Sequence, residues 1–252
     1  MTATHDSISE YRALIGRWAR ALSTGDHDIV APFVTDEAAL ARLKMFTDGN
    51  FEKRFLKIRD QVEDLLEVFD ELETSIEDYI RSRPLAAYDT GPGDSSTFLY
   101  WLVETSSPSA EQLDYITCQK CRTELDGLAE RNRAGHGRFQ ELRSQNDTLL
   151  NELDSNPQIW IHLNPIRAAA TFQTRALLDD EADLPAEVLF YPVGNEIRTA
   201  VLEREALTVV RSLWRSSPQH LNELADSING VSRDEIRETV SDFMEIGLAS
   251  LG

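Results

Sequence analysis

Apolar residues recur at helical spacing through the first half of the chain. Tyr11, Leu14, Ile15, Trp18 and Leu22 fall on one face of an amphipathic helix from Ser9, which Gly25 ends. Asp36 is placed to cap a second helix that buries Leu40, Leu43 and Phe46, and Asp48-Gly49-Asn50 reads as a turn. From Phe51 to Ile80 the positions Phe55, Ile58, Val62, Leu65, Phe69, Leu72, Ile76 and Tyr79 predict one long helix, or two with a break near Asp70, stopped at Pro84. A loop over 85–96 is centred on Gly91-Pro92-Gly93. Phe98, Leu99, Leu102 and Val103 mark a short helix. Leu113, Ile116, Leu125 and Leu128 mark another, from Ser109 to about Arg131. Gly135-His136-Gly137 interrupts the pattern before Phe139, Leu142, Leu149, Leu150 and Leu153 continue it.

The period changes near residue 157. Gln158 to Leu163 alternates, with strand composition; Asn164-Pro165 turns, and 166–178 is ambiguous. Glu187 to Pro192 and Glu196 to Leu202 are strands flanking the turn Val193-Gly194-Asn195, with Ile197, Thr199 and Val201 on one face. Three helices complete the chain. The first, Glu205 to Arg215, carries Leu207, Val210 and Trp214. The second, capped by Ser217 with Pro218 in its first turn, buries Leu221, Leu224, Ala225 and Ile228. The third opens with the capping box Ser232/Glu235, buries Ile236, Val240, Phe243 and Met244, and ends at Gly247. These elements predict an α+β protein: an all-α helical domain over 1–155, then a winged-helix-like domain with a short antiparallel sheet over 156–252.

Charge narrows the function classes. The formal net charge is -19 over 252 residues. A winged-helix DNA reader needs a basic recognition face, but the last helix sets Arg233 and Arg237 against Asp234, Glu235, Glu238, Asp242 and Glu245. Nucleic acid is therefore not the expected partner. No apolar run reaches membrane-spanning length, and the polar start carries no secretory signal, so no membrane role is expected. Two cysteines make no disulfide framework, which favours a reducing cytoplasm.

The candidate chemistry is sparse. Cys118-Gln-Lys-Cys121 lacks the second ligand pair of a structural zinc site and lies in a helical pattern, so two helix thiols are the better reading. The carboxylates between Asp60 and Asp78 lack the Glu-x-x-His partner of a di-iron bundle and read as a solvated face. Gly91-Pro92-Gly93 is not a phosphate loop, and His162 reads as a hydrogen-bonded strand residue. No catalytic residue, metal ligand or cofactor site is identified in this chain. Three readings remain: an accessory subunit, an acidic winged-helix transcription regulator, or a stand-alone protein-interaction adaptor.

Several stretches together resemble a known family. They are Phe69 to Ile80, Phe98 to Leu102, Ile161-His-Leu-Asn-Pro-Ile-Arg167, Val188 to Tyr191, Glu196 to Leu202, Glu205 to Trp214 and Phe243 to Leu248. The chain resembles the partner proteins of multinuclear non-heme iron oxidases, which serve ribosomal peptide pathways such as methanobactin and thiaglutamate biosynthesis. The resemblance implies a heterodimer with a TIM-barrel oxidase that holds the iron. It also implies recognition of a precursor-peptide leader by strand addition, so that a core cysteine is presented for modification, thiaglutamate being the narrower expectation. The peptide would meet Val188, Leu189, Phe190, Tyr191, Ile197, Arg198, Thr199, Val201 and Trp214. His162, Pro165 and Arg167 would face the enzyme.

Overall fold

Periodicity produces most of the helices, and a few open on side-chain caps. In a computed structural model, residues 3–84, 93–153, 155, 156 and 158–252 are described; the expected loop centre at 85–92 lies outside them. The chain forms two compact units, 1–119 and 120–252.

The first unit contains α1 (Ala3–Thr24), α2 (Glu37–Gln61), α3 (Leu72–Ser82), α4 (Asp94–Ser106) and the start of α5 (Ala110–Arg131). Asp36 caps α2, its carboxylate accepting the Ala38 N–H at 3.0 Å. The expected turn at Asp48-Gly49-Asn50 is instead a continuous part of α2. A mid-helix glycine costs about 1 kcal/mol against alanine, and the packing of α2 on α1, α3 and α4 overrides it. Phe46 is consequently exposed, while Thr47, Arg54 and Ile58 are the buried α2 positions. The expected break near Asp70 is a longer interruption, with the 3₁₀ turn Glu63–Glu67 between α2 and α3. Ile58, Leu65, Ile76, Ile80, Phe98 and Leu102 are fully or almost fully buried, and Tyr79 meets Phe98 edge-on at 5.4 Å.

A buried ion pair ties α2 to the start of α4. Arg54 donates from Nε to Asp94 Oδ2 at 2.6 Å and from Nη2 to Oδ1 at 2.9 Å. Its Nη2 also donates to the Arg83 carbonyl at 2.9 Å, and the Tyr79 hydroxyl donates to Asp94 Oδ1 at 2.8 Å. Burial and the neighbouring carboxylate raise the Tyr79 pKa, so the phenol stays a donor.

The second unit adds α6 (Arg133–Arg143), α7 (Asn146–Leu150), β1 (Trp160–Leu163), β2 (Ala168–Phe172), β3 (Ala186–Val193) and β4 (Glu196–Val201). It ends with α8 (Arg204–Ser216), β5 (Gln219–His220), α9 (Leu221–Ser227), α10 (Arg233–Glu245) and β6 (Ala249–Leu251). The unit takes in α6 and α7, with Leu153 in its core and Leu149 and Leu150 packed against it. The strands form two antiparallel sheets, β5-β1-β6 and β2-β3-β4. The ambiguous stretch after Pro165 resolves as β2, which pairs along β3 from Ala168 opposite Phe190 to Phe172 opposite Ala186. β6, at the C-terminus, has no counterpart among the expected elements. At three residues it is too short for periodicity to register.

Ser232 and Glu235 do form the capping box of α10, with bonds of 2.6 and 3.2 Å, and Gly247 takes a φ of +82° just beyond the helix. Ser217 is not a helix N-cap. It closes α8, and its hydroxyl instead accepts the Leu163 N–H at 2.8 Å. α9 starts at Leu221, and the Glu223 carboxylate accepts the His220 N–H. The sheet β2-β3-β4 followed by α8, α9 and α10 is the winged-helix-like arrangement within an α+β protein. Leu189 and Tyr191 on one sheet face pack with Val209, Val210 and Leu213 of α8 and with the inner faces of α9 and α10.

Candidate functional site

The site follows from how α8 is turned over the sheet. Its buried residues are Val209, Val210 and Leu213, so the stripe Leu207, Val210 and Trp214 is offset from the core face. That offset stripe forms one wall of an apolar cavity of about 290 Å³. The opposite wall is Ala169 of β2 with Val188 and Leu189 of β3, and Leu202 closes one end. Ala169 is the small residue that leaves the space open. Glu187 and Arg211, 3.4 Å apart, stand at the rim.

Both outer strands of this sheet are edges. β4 is exposed along nearly its whole length, while β2 alternates buried and exposed residues, with Ala169 and Thr171 outward. An edge strand presents unpaired backbone donors and acceptors to an incoming extended segment. The cavity lies between α8 and the sheet, running from Leu202 past β3 to Ala169 on the β2 edge.

At the Trp214 end the groove meets a second, polar cavity of about 240 Å³. Arg138, His162, Arg167 and Arg215 line it, together with Phe139, Leu142, Pro165 and Trp214, and none of the described lining residues is Asp or Glu. Trp214 and Arg215 belong to both cavities. The Arg167 guanidinium lies 4.5 Å from the centre of the Trp214 ring. Its Nη1 donates to the Asn164 carbonyl at 2.6 Å, and its buried Nε–H has no partner among the described residues. Desolvation lowers the Arg167 pKa to about 10. Burial and the nearby Arg138 charge likewise hold His162 below the ordinary histidine value.

These positions redistribute the residues expected at the site. Val188 and Leu189 line the groove, and Trp214 joins its two halves. Phe190 and Tyr191 have buried side chains, and β3 is flanked by strands on both sides. Ile197, Arg198, Thr199 and Val201 lie on exposed β4; none lines the groove, though Val201 adjoins its Leu202 end, and Arg198 approaches Glu196 at 4.0 Å. His162, Pro165 and Arg167 come together in the polar cavity. Sequence reasoning missed Ala169, Leu207, Arg138 and Arg215 as lining residues. The offset of Leu207 and Trp214 from the Val209/Leu213 face was a usable signal; Arg138, 24 residues before His162, carried none.

Elsewhere, Cys118 and Cys121 are buried on α5 without a disulfide. Among the described residues no group of three or more His, Cys, Asp or Glu side chains is placed to hold a metal ion, and no helix is long and apolar enough to cross a membrane. Comparison with protein-family models, with curated proteins and with solved structures gives no match.

Proposed function

We propose that this chain is a non-catalytic accessory subunit that holds the leader of a ribosomally made precursor peptide and presents its cysteine to a multinuclear non-heme iron oxidase. The observation that carries the peptide-binding part is the apolar groove between α8 and the sheet, which reaches the β2 edge at Ala169. A strand laid along β2 would gain main-chain hydrogen bonds at the edge and bury alternate side chains against Leu207, Val210 and Trp214. The partner enzyme follows from the family resemblance of the sequence. In this reading the iron and its ligands belong to a TIM-barrel oxidase, and this chain supplies position alone. Its setting is the cytoplasm, where a precursor thiol stays reduced.

The test uses the tagged full chain, purified from its native cells with whatever it holds, followed by metal analysis and mass spectrometry. The expected complex contains an iron-bearing enzyme and a short cysteine-containing peptide. Ala169→Phe fills the groove from an exposed position and should release the peptide while keeping the enzyme. Thr199→Pro, on the opposite edge, should keep both. One or more equivalents of iron on the purified single chain, or an Ala169→Phe complex that retains its peptide, would overturn the reading.

A further inference from the structure

The polar cavity at the end of the groove gathers like charges, and none of the described residues that line it is acidic. Arg138, Arg167 and Arg215 have no carboxylate within 4.0 Å among the described residues. This occurs in a chain that carries 44 acidic residues against 25 basic ones, so carboxylates are not scarce. An unsatisfied buried donor is uncommon in a native protein and calls for a specific explanation. Arg167 carries such a donor at Nε, sealed from solvent, on a side chain already fixed by Trp214 and by the Asn164 carbonyl, and Arg167 is among the residues that line the cavity.

We infer that this cavity receives an acidic side chain of the bound peptide, so that the sheet selects an extended segment with an apolar anchor and a nearby Asp or Glu. The inference rests on the peptide-groove reading and specifies its ligand. A planar guanidinium suits a carboxylate, and a charge-assisted bond gains strength in a partly desolvated site. Arg138 and Arg215 add attraction at the mouth. Apolar Phe139, Leu142 and Pro165 would sheathe the methylenes of a glutamate. The shared wall decides between a peptide and a free anion. Trp214 and Arg215 border both cavities, so one continuous ligand can fill them. Arg167 immediately precedes β2, and Ala169 of β2 lines the groove. Side chains on one face of a strand recur every second residue, about 6.6 Å apart. An anchor against Ala169 therefore puts the acidic residue two positions away along the added strand.

A random nonapeptide display library, selected on the full chain and sequenced, tests this whatever the precursor is. The wild-type protein should enrich peptides with a branched or aromatic residue two positions from Asp or Glu. Arg167→Gln with Arg138→Gln should still enrich the apolar position but lose the acidic preference. A synthetic peptide from the enriched pool should bind the double variant about tenfold more weakly than wild type. Its Glu→Gln form should bind both proteins alike. Unfolded variant protein would show as lost apolar selection, and Arg215→Gln, at an exposed position, then supplies the charge test in a folded protein. Millimolar inorganic phosphate should compete only weakly with the peptide; full displacement by phosphate would make the cavity a free-anion site and overturn the inference. Apolar enrichment without an acidic preference would overturn the inference while leaving the groove intact. No enrichment on wild type would overturn both.

Discussion

Two arginines, one in each compact unit, are removed from much of their water and are answered differently. Arg54 meets a buried carboxylate in a two-bond fork, with a tyrosine hydroxyl on the same carboxylate, the Arg83 carbonyl also accepting from Nη2, and the Ile80 and Pro84 carbonyls accepting from the remaining nitrogen, Nη1. Arg167 meets an indole face and one carbonyl, and its Nε–H is unmatched. Desolvation penalises both charges, but only Arg54 has a charge to offset it. Folding alone accounts for Arg54, because the pair joins two helices through residues 40 apart in sequence. It does not account for Arg167, whose neighbours include two further arginines and a histidine. A charge that the fold leaves unanswered is available to a ligand.

The comparison breaks most easily at the Arg54 pair. Arg54→Met leaves Asp94 buried with only Tyr79, and Asp94→Leu leaves Arg54 buried with carbonyls. Each single change should cost about 3–5 kcal/mol, the usual penalty for stranding one member of a buried pair. The double variant should recover much of that loss. Urea denaturation of all four proteins measures the coupling. Losses below about 1 kcal/mol in both singles would mean that the pair does not hold the helical unit together.

The legibility of the molecule follows the same division. Long-period features were readable: the helices, the Ser232/Glu235 box and the β3–β4 hairpin each write their pattern within a few consecutive residues. The α2 continuation through Gly49 was not, because tertiary packing outweighed a weak local preference. Edge strands of two or three residues, such as β5 and β6, carry too little pattern to be seen. The groove was half legible. Trp214 and Leu189 stood out as apolar positions, but their relation to Ala169 depends on β2 pairing with β3 rather than on spacing. The cationic cluster was beyond reach, since Arg138, Arg167 and Arg215 lie on three elements or their flanks and meet only in the folded chain. The same holds for Arg54 and Asp94.

A smaller effect sharpens the charge argument at His162. Its folded pKa lies below the ordinary value of 6.5, through burial first and Arg138 second. Below about pH 6.5 the unfolded chain therefore binds a proton that the folded chain refuses. Stability should fall as pH drops from 6.5 toward the lower folded pKa, and level off beneath it. His136 contributes with the same sign, so the informative quantity is the difference between wild type and His162→Gln. The variant should lose less stability between pH 7 and pH 5, measured by urea denaturation at each pH. Arg138→Gln should shrink the wild-type slope in the same direction. Parallel stability curves for wild type and His162→Gln would show that neither burial nor the Arg138 charge changes the ring's proton affinity on folding.

The smallest expected effect on stability is also the most discriminating, and it belongs to Arg167→Met. Methionine keeps much of the side-chain length and can still lie against Trp214. The change removes a cation–π contact worth about 0.5–2 kcal/mol and a hydrogen bond worth about 1 kcal/mol net. It also removes a partly desolvated charge, an unmatched Nε–H and the repulsion from Arg138 and Arg215. These contributions oppose one another, so the folded protein should stay within about 1 kcal/mol of wild type, whereas Arg54→Met should not. A peptide selected on wild type should separate the two variants again. It should stabilise wild type against urea in proportion to its binding, and should stabilise Arg167→Met much less at the same concentration. A loss of several kcal/mol in Arg167→Met without peptide would make Arg167 a structural residue like Arg54. Equal stabilisation of the two proteins by the peptide would remove the charge from recognition altogether.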